Sequence, residues 1–247
     1  MQQAELALDA AALAARTILE SSGEIYRAEE TAVRMCAGLG LQQADILCFP
    51  TGFMLNAVLP GGQTISRVQR VRERSIQLRT LDEVNSVSRA VAAGLLDAQQ
   101  ALDALHALRS APGSRRITLI GAYALASGFF CLMFAGGVKE FLICLPCGAL
   151  IQALLPLLSR HRVPAMLCSL TGGLLAAGSA LVMIRFFGGN QEAIISGTIM
   201  PLLPGLAMTN AIRDTLRGDL IAGLARGTEA LLSAVMLAAG VAFVLMV

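Results

Sequence analysis

Four polar side chains recur at helical spacing just beyond a run of helix-breaking residues. Asn210, Arg213, Asp214 and Arg217 stand at i, i+3, i+4 and i+7, which places them on one face if the stretch is helical. Arg213 offers a planar fork that can hold a carboxylate through two parallel hydrogen bonds, and Thr209 and Asn210 can add further bonds to it. Asp214 can orient an arginine or accept a proton. Immediately upstream the chain reads Gly197-Thr198-Ile199-Met200-Pro201-Leu202-Leu203-Pro204-Gly205. Two prolines and a glycine there free backbone groups that, inside a bilayer, must pair with protein or with water in a cavity. Broken helices of this kind recur at transporter binding sites. Pro204, Gly205, Thr209, Asn210, Arg213 and Asp214 therefore form the candidate substrate-binding or translocation site. The same residues also read as a loop of positive-inside arginines paired by neighbouring acids, and spacing alone leaves both readings open.

Three more charged residues follow. Asp219, Arg226 and Glu229 are candidates for ion coupling or for simple ion pairs, with Glu229 three residues after Arg226 and within reach on a helix. In the N-terminal part, Glu24, Arg27, Glu29 and Glu30 open a helix, where acidic side chains oppose the helix dipole favourably. Two carboxylates at that spacing could serve acid–base chemistry, but no histidine, serine or metal-ligand cluster accompanies them, and His106 and His161 stand alone. No enzyme active site, cofactor or metal is expected. Cys144-Leu145-Pro146-Cys147 has a redox spacing, yet it lies in an apolar run where thiolate formation is unfavourable and Pro146 serves to kink a helix.

The elements that must position these residues fall into two solvents. Residues 1–116 carry 12 Lys+Arg and 12 Asp+Glu, ordinary for a soluble domain, whereas residues 117–247 carry 7 and 5 between long apolar runs. Only 15% of the chain is charged and its mean hydropathy is +0.67, against roughly 25% charged in a soluble protein. The net charge of +2 and the lack of tryptophan argue against nucleic-acid binding. The N-terminus has no signal-peptide pattern, so residues 1–110 are expected in the cytoplasm. Helical patterns cover about 5–22, 24–38, 81–94 and 97–109. Three short runs at 46–49, 53–58 and 64–71, parted by Pro50-Thr51-Gly52 and Pro60-Gly61-Gly62, suit a β-meander with Ile65, Val68 and Val71 as the apolar members of its third strand.

After a linker at 111–116, spans are expected at about 117–135, 141–159, 163–184, 193–210 and 227–247, each near the ~20 residues a bilayer needs. Arg115 and Arg116, then Arg160, His161 and Arg162, then Arg213, Arg217 and Arg226 occupy alternate loops, and the remaining loops hold only Lys139 with Glu140 and Arg185 with Glu192. That asymmetry places the N-terminus inside and the C-terminus outside a bacterial inner membrane. The expected fold class is an α-helical polytopic membrane protein with about five transmembrane helices and an N-terminal cytoplasmic α+β domain.

With the elements placed, two segments become specific. Ser22-Gly23-Glu24-Ile25-Tyr26-Arg27-Ala28-Glu29-Glu30-Thr31, followed by Pro50-Thr51-Gly52, resembles the N-terminal domain of the threonine/serine exporter (ThrE) family. Pro204-Gly205-Leu206-Ala207-Met208-Thr209-Asn210-Ala211-Ile212-Arg213-Asp214, with Gly218-Asp219, Gly223, Ala225-Arg226 and Glu229, resembles that family's membrane signature. The resemblance implies a functional motif at Glu24, Arg27, Glu30, Pro50, Thr51 and Gly52. It also implies export of a small polar metabolite driven by an ion or proton gradient, and no Walker-type phosphate loop occurs in the sequence. About five spans match the larger, YjjP-like subunit of the split form, which pairs with a small all-helical YjjB-like membrane partner. The split form implies a dicarboxylate such as succinate; the fused form implies threonine and serine, handled by the chain alone or as a homo-oligomer. A reading from another class is a membrane-anchored interaction or regulatory protein, since the soluble part is nearly half the chain.

Overall fold

The computed structural model describes residues 2–59, 61–111, 114–160 and 163–246. Pro60, the Pro112-Gly113 pair of the expected linker, and His161 and Arg162 of the second basic loop lie outside the described residues. The chain divides into two compact units. The first comprises 1–112 and 207–227, and the second 113–206 and 228–247. Residues 207–227, read from sequence as part of the membrane region, thus group with the N-terminal unit.

In the first unit, α1 (Gln2–Glu20) is alanine-rich and largely buried along its length, with Leu8, Ala11, Ala15 and Leu19 inaccessible. Small side chains on most of its faces let α2 (Ile25–Gly38), α3 (Leu78–Ala92) and α4 (Ala98–Ser110) pack against it. Asp97 caps α4 through a reciprocal box with Gln100. Strands β1 (Gln42–Phe49), β2 (Gly52–Val58) and β3 (Thr64–Arg70) form an antiparallel meander in the order β1-β2-β3. On β2, Phe53, Leu55 and Ala57 point into the core and alternate with more exposed residues.

The third strand departs from the apolar pattern expected for it. Side chains alternate across a strand with period two, so Ile65, Arg67 and Gln69 share the better-buried face. Val68 points the other way and is 71% exposed. Arg67 meets Asp9 of α1, with Nε donating to Oδ1 at 2.6 Å, so a polar residue takes the inner face that Val68 was expected to take, while Val71, just past the strand, is buried as expected.

The second unit contains α5 (Arg116–Met133), α6 (Val138–Arg160), α7 (Ala165–Phe187), α8 (Gln191–Ile199) and the C-terminal part of α10 (Leu220–Met246). Among the described residues, four helices are long and apolar enough to cross a membrane: Arg116–Met133, Val138–Leu158, Ala165–Phe187 and Leu220–Met246. The expected fourth span is not one helix. It runs through α8, a 3-10 turn at Met200–Leu202, extended Leu203, and α9 (Gly205–Leu216), and it reaches span length only when these pieces are taken together. Pro201 and Pro204 each remove an amide donor at this break.

Close backbone approach organises this unit. A Cβ on Gly173 of α7 would sit 2.2 Å from the Leu237 carbonyl of α10, and one on Gly240 would sit 2.2 Å from the Leu170 carbonyl. Gly197 faces Cys131 of α5 in the same way, at 2.6 Å. Such small-residue contacts are how helices associate in lipid, where burial from water drives nothing. Cys131, Cys144 and Cys147 are buried free thiols in this packing. Cys144 Sγ donates to the Ile194 carbonyl at 3.6 Å, a packing role for the apolar Cys-Leu-Pro-Cys run.

Candidate functional site

The site is built around the turn that ends α1. Ser22 N–H donates to the Leu19 carbonyl at 3.2 Å and Gly23 N–H to the Ile18 carbonyl at 2.9 Å, the paired bonds of a Schellman cap. That cap needs a left-handed residue, and here Ser22 supplies it at φ 60°, where Gly40 (φ 79°), Gly94 (φ 71°) and Gly218 (φ 95°) serve the equivalent turns after α2, α3 and α9. A left-handed serine costs on the order of 1 kcal/mol. Gly23 next to it is required for space, because a Cβ there would lie 2.5 Å from Ile18 Cγ2 and 3.0 Å from the Ile18 carbonyl.

Every residue from Ser22 to Tyr26 meets a partner from the segment 210–226, about 190 positions away in the chain. Asn210 Nδ2 donates to the Ser22 carbonyl at 3.0 Å. Arg226 Nη2 donates to the Gly23 carbonyl at 2.7 Å. Arg213 Nη1 donates to Glu24 Oε1. Asp214 Oδ1 accepts from the Ile25 amide at 3.3 Å. Arg217 stacks over Tyr26, its guanidinium carbon 3.6 Å from the ring centroid. The i, i+3, i+4, i+7 face is real, and its occupant is this turn.

Local sequence explains the geometry on both sides. Ile25 is the first residue of α2 and its N–H has no partner within the helix, so Asp214 caps that helix from a distant segment. Gly218 ends α9 and allows the Asp219 amide to reach the Asp214 carbonyl at 3.0 Å. α10 then starts beside α9 so closely that a Cβ on Gly223 would sit 2.9 Å from the Ala211 carbonyl.

Both carboxylates of the cluster are paired with arginines. Asp214 is fully buried and Arg226 is 5% exposed, with Nη1 and Oδ2 3.4 Å apart. Glu24 is 8% exposed and held on both oxygens, by Arg213 on Oε1 and by Arg27 Nε on Oε2 at 3.2 Å. Arg213 itself remains 46% exposed. Behind the turn, Glu29 Oε1 accepts from the Cys48 amide at 2.9 Å, tying α2 to β1. Burial pushes the Glu29 carboxyl above the ordinary carboxylate value; that N–H opposes the shift, and the negative charges of Asp219 and Asp214 reinforce it. Burial likewise raises the Cys36 thiol to about 12, so it is an inert packing group.

The sequence candidates therefore separate. Glu24, Arg27, Asn210, Arg213, Asp214 and Arg226 come together, and Asp219 joins through its backbone. Glu30 pairs with Arg34 at 2.6 Å. Pro50, Thr51 and Gly52 form the β1–β2 turn, where the Thr51 carbonyl accepts from the Val71 amide at 2.9 Å. A Cβ on Gly52 would lie 2.5 Å from the Gln69 carbonyl, so the turn admits only glycine. Pro204 and Gly205 mark the helix break, Thr209 is exposed on α9, and Glu229 belongs to the second unit. Sequence reasoning did not pick out Tyr26 or the Ser22 and Gly23 carbonyls as partners. Main-chain acceptors leave no residue-type signal; the Ser-Gly after a long helix was the only hint. Among the described residues no group of three His, Cys, Asp or Glu side chains is placed to hold a metal.

Comparison with known proteins adds one finding. Residues 9–247 match the family model of the threonine/serine exporters, nearly the whole chain. Neither the curated proteins nor the solved structures give a match.

Proposed function

The chain belongs to the threonine/serine exporter (ThrE) family, and from that premise we propose that it is the larger subunit of a secondary exporter of small carboxylate metabolites. The family is one of membrane exporters, and four apolar helices of spanning length fit a multi-pass membrane protein. The finer reading is a dicarboxylate such as succinate, carried out of the cell across a bacterial inner membrane together with a small all-helical partner. Resemblance to the split form supports the partner and the dicarboxylate. The lysine and arginine distribution among the loops supports an N-terminus in the cytoplasm and a C-terminus in the periplasm.

The observation that carries the reading is the Arg213–Glu24 pair. An arginine fork binds carboxylates in a defined geometry, and here it already engages one supplied by the chain itself. With 46% of its side chain exposed, Arg213 keeps a face that a substrate can reach. Glu24 then acts as an internal competitor: a substrate carboxylate takes its place on Arg213 and frees the turn after α1. Asn210 holds that turn through the Ser22 carbonyl and so reports its position to α9.

Efflux of labelled succinate and labelled threonine from cells expressing the chain, with and without the small membrane partner, tests the proposal. Succinate efflux requiring both chains is the expected result. Threonine efflux from this chain alone moves it to the amino-acid branch, as a single chain or homo-oligomer. Efflux of neither returns the protein to the reading of a membrane-anchored regulatory protein.

A further inference from the structure

A second charged region of the first unit takes no part in the interlock. A cavity of about 620 Å³ opens where the end of α1, the end of β3, the coil 71–77 and the start of α3 meet. Its size falls within the ~300–1,000 Å³ usual for small-molecule sites. Five arginines line it: Arg16, Arg70, Arg72, Arg74 and Arg109. Two carboxylates, Glu20 and Glu73, line it beside them.

The carboxylates are not equivalent. Glu20 is held on both oxygens, by Arg16 Nε and by Arg109 Nη1, each at 2.7 Å, so it braces these two guanidinia against the cavity wall. Arg70 and Arg72 make no ion pair among the described residues and stand exposed at the rim. Arg70 ends β3, and the coil that carries Arg72 is pinned in place, since the Ser75 amide donates to the Glu20 carbonyl at 2.8 Å. Gln77 Nε2 donates to Ser75 Oγ at 2.8 Å, and its Oε1 accepts from Thr80 Oγ1 at 3.1 Å, which aligns neutral donors and acceptors along the same wall. Guanidinium charge on a fixed frame, with polar side chains between, is the chemistry that recognises a compact anion of more than one charge.

We propose that this cavity is a binding site for a small polyvalent anion, a phosphoester or a di- or tricarboxylate, distinct from the Arg213 cluster. Its wall runs directly into the interlocking turn, because Glu20 and Ser21 line the cavity and Ser22 begins the turn. An occupant that draws Arg16 or Arg109 off Glu20 thus acts on the residues adjoining the interlock.

The test is titration calorimetry on the full-length protein in phosphatidylcholine nanodiscs, with inorganic pyrophosphate, succinate and threonine as probes. Saturable binding of pyrophosphate or succinate, weakened at least tenfold in an Arg70→Gln/Arg72→Gln double variant and retained in Arg213→Ala, supports the site. Threonine, with no net charge, should give no heat that the double variant removes. Arg70→Lys/Arg72→Lys keeps the charge and should retain part of the binding, which guards against a Gln variant that misfolds. Repeating the titration in phosphatidylglycerol nanodiscs separates sources: lost pyrophosphate binding assigns the site to a lipid headgroup, and retained binding assigns it to a free anion. No saturable heat with either anion, equal binding in a double variant whose melting curve matches wild type, or binding that does not weaken with added salt overturns the proposal.

Discussion

The two units bring distant parts of the chain together by opposite means. In the first, residues 210–226 reach the Ser22–Tyr26 turn through charged and polar contacts, two of whose side chains, Asp214 and Arg226, are almost wholly buried. In the second, α7 and the end of α10 meet through Gly173 and Gly240, with backbone against backbone and no charge involved. Each solution suits its surroundings. In lipid, helices gain from packing alone and a buried ion pair is costly, so small residues do the joining. In the first unit the core already supplies burial, and a directional polar contact can fix register where apolar packing is tolerant. Under the proposed competition for Arg213, the polar interlock is the joint that a charged ligand would act on, and the glycine contact offers it no charge to engage.

The largest expected effect breaks the polar side. Arg226→Ala leaves Asp214 buried without its cation and the Gly23 carbonyl without its donor. Loss of one partner from a buried pair costs about 3–5 kcal/mol, and thermal unfolding of the purified protein should show a correspondingly lower midpoint. Next comes the glycine side. Gly240→Val forces side-chain atoms against the Leu170 carbonyl, and overpacking of this kind costs about 1–3 kcal/mol. The same melting assay should detect it, and the Glu24–Arg213 contact should be unaffected.

A smaller effect is tied to pH. Glu29 has a raised carboxyl in the folded protein, so the folded state binds a proton that the unfolded state has already released. Its contribution therefore makes stability fall as pH rises from the ordinary carboxylate value of 4.5 through the raised folded value. Glu29→Gln keeps an acceptor for the Cys48 amide and should flatten that slope, which a series of melts between pH 4 and about pH 7 would reveal. The smallest effect concerns β3. Val68→Thr lies on the exposed face and should change stability by less than about 0.5 kcal/mol; a larger loss in the melt would return Val68 to the core.

Much of the fold was legible because it rests on periodicity. The alanine-rich α1, the turn chemistry at Pro50-Thr51-Gly52 and the apolar spans each leave a local pattern. The face of Asn210, Arg213, Asp214 and Arg217 was readable from spacing, and so was the break at Pro201–Pro204. What faces those side chains was not readable. Both halves of the interlock stood out in the sequence, but a contact across 189 residues between an arginine and a glutamate has no local signature. β3 misled at Val68 for a related reason: Arg67 takes the inner face because its acid lies on α1, which the strand read alone does not show.

Transport kinetics of Glu24→Gln beside Arg213→Ala, at matched expression in the membrane, tests the internal-competitor account most directly. The account predicts that Arg213→Ala loses carboxylate efflux and that Glu24→Gln, with the fork released, reaches half-maximal efflux at a lower internal substrate concentration. Wild-type efflux from Arg213→Ala would contradict it.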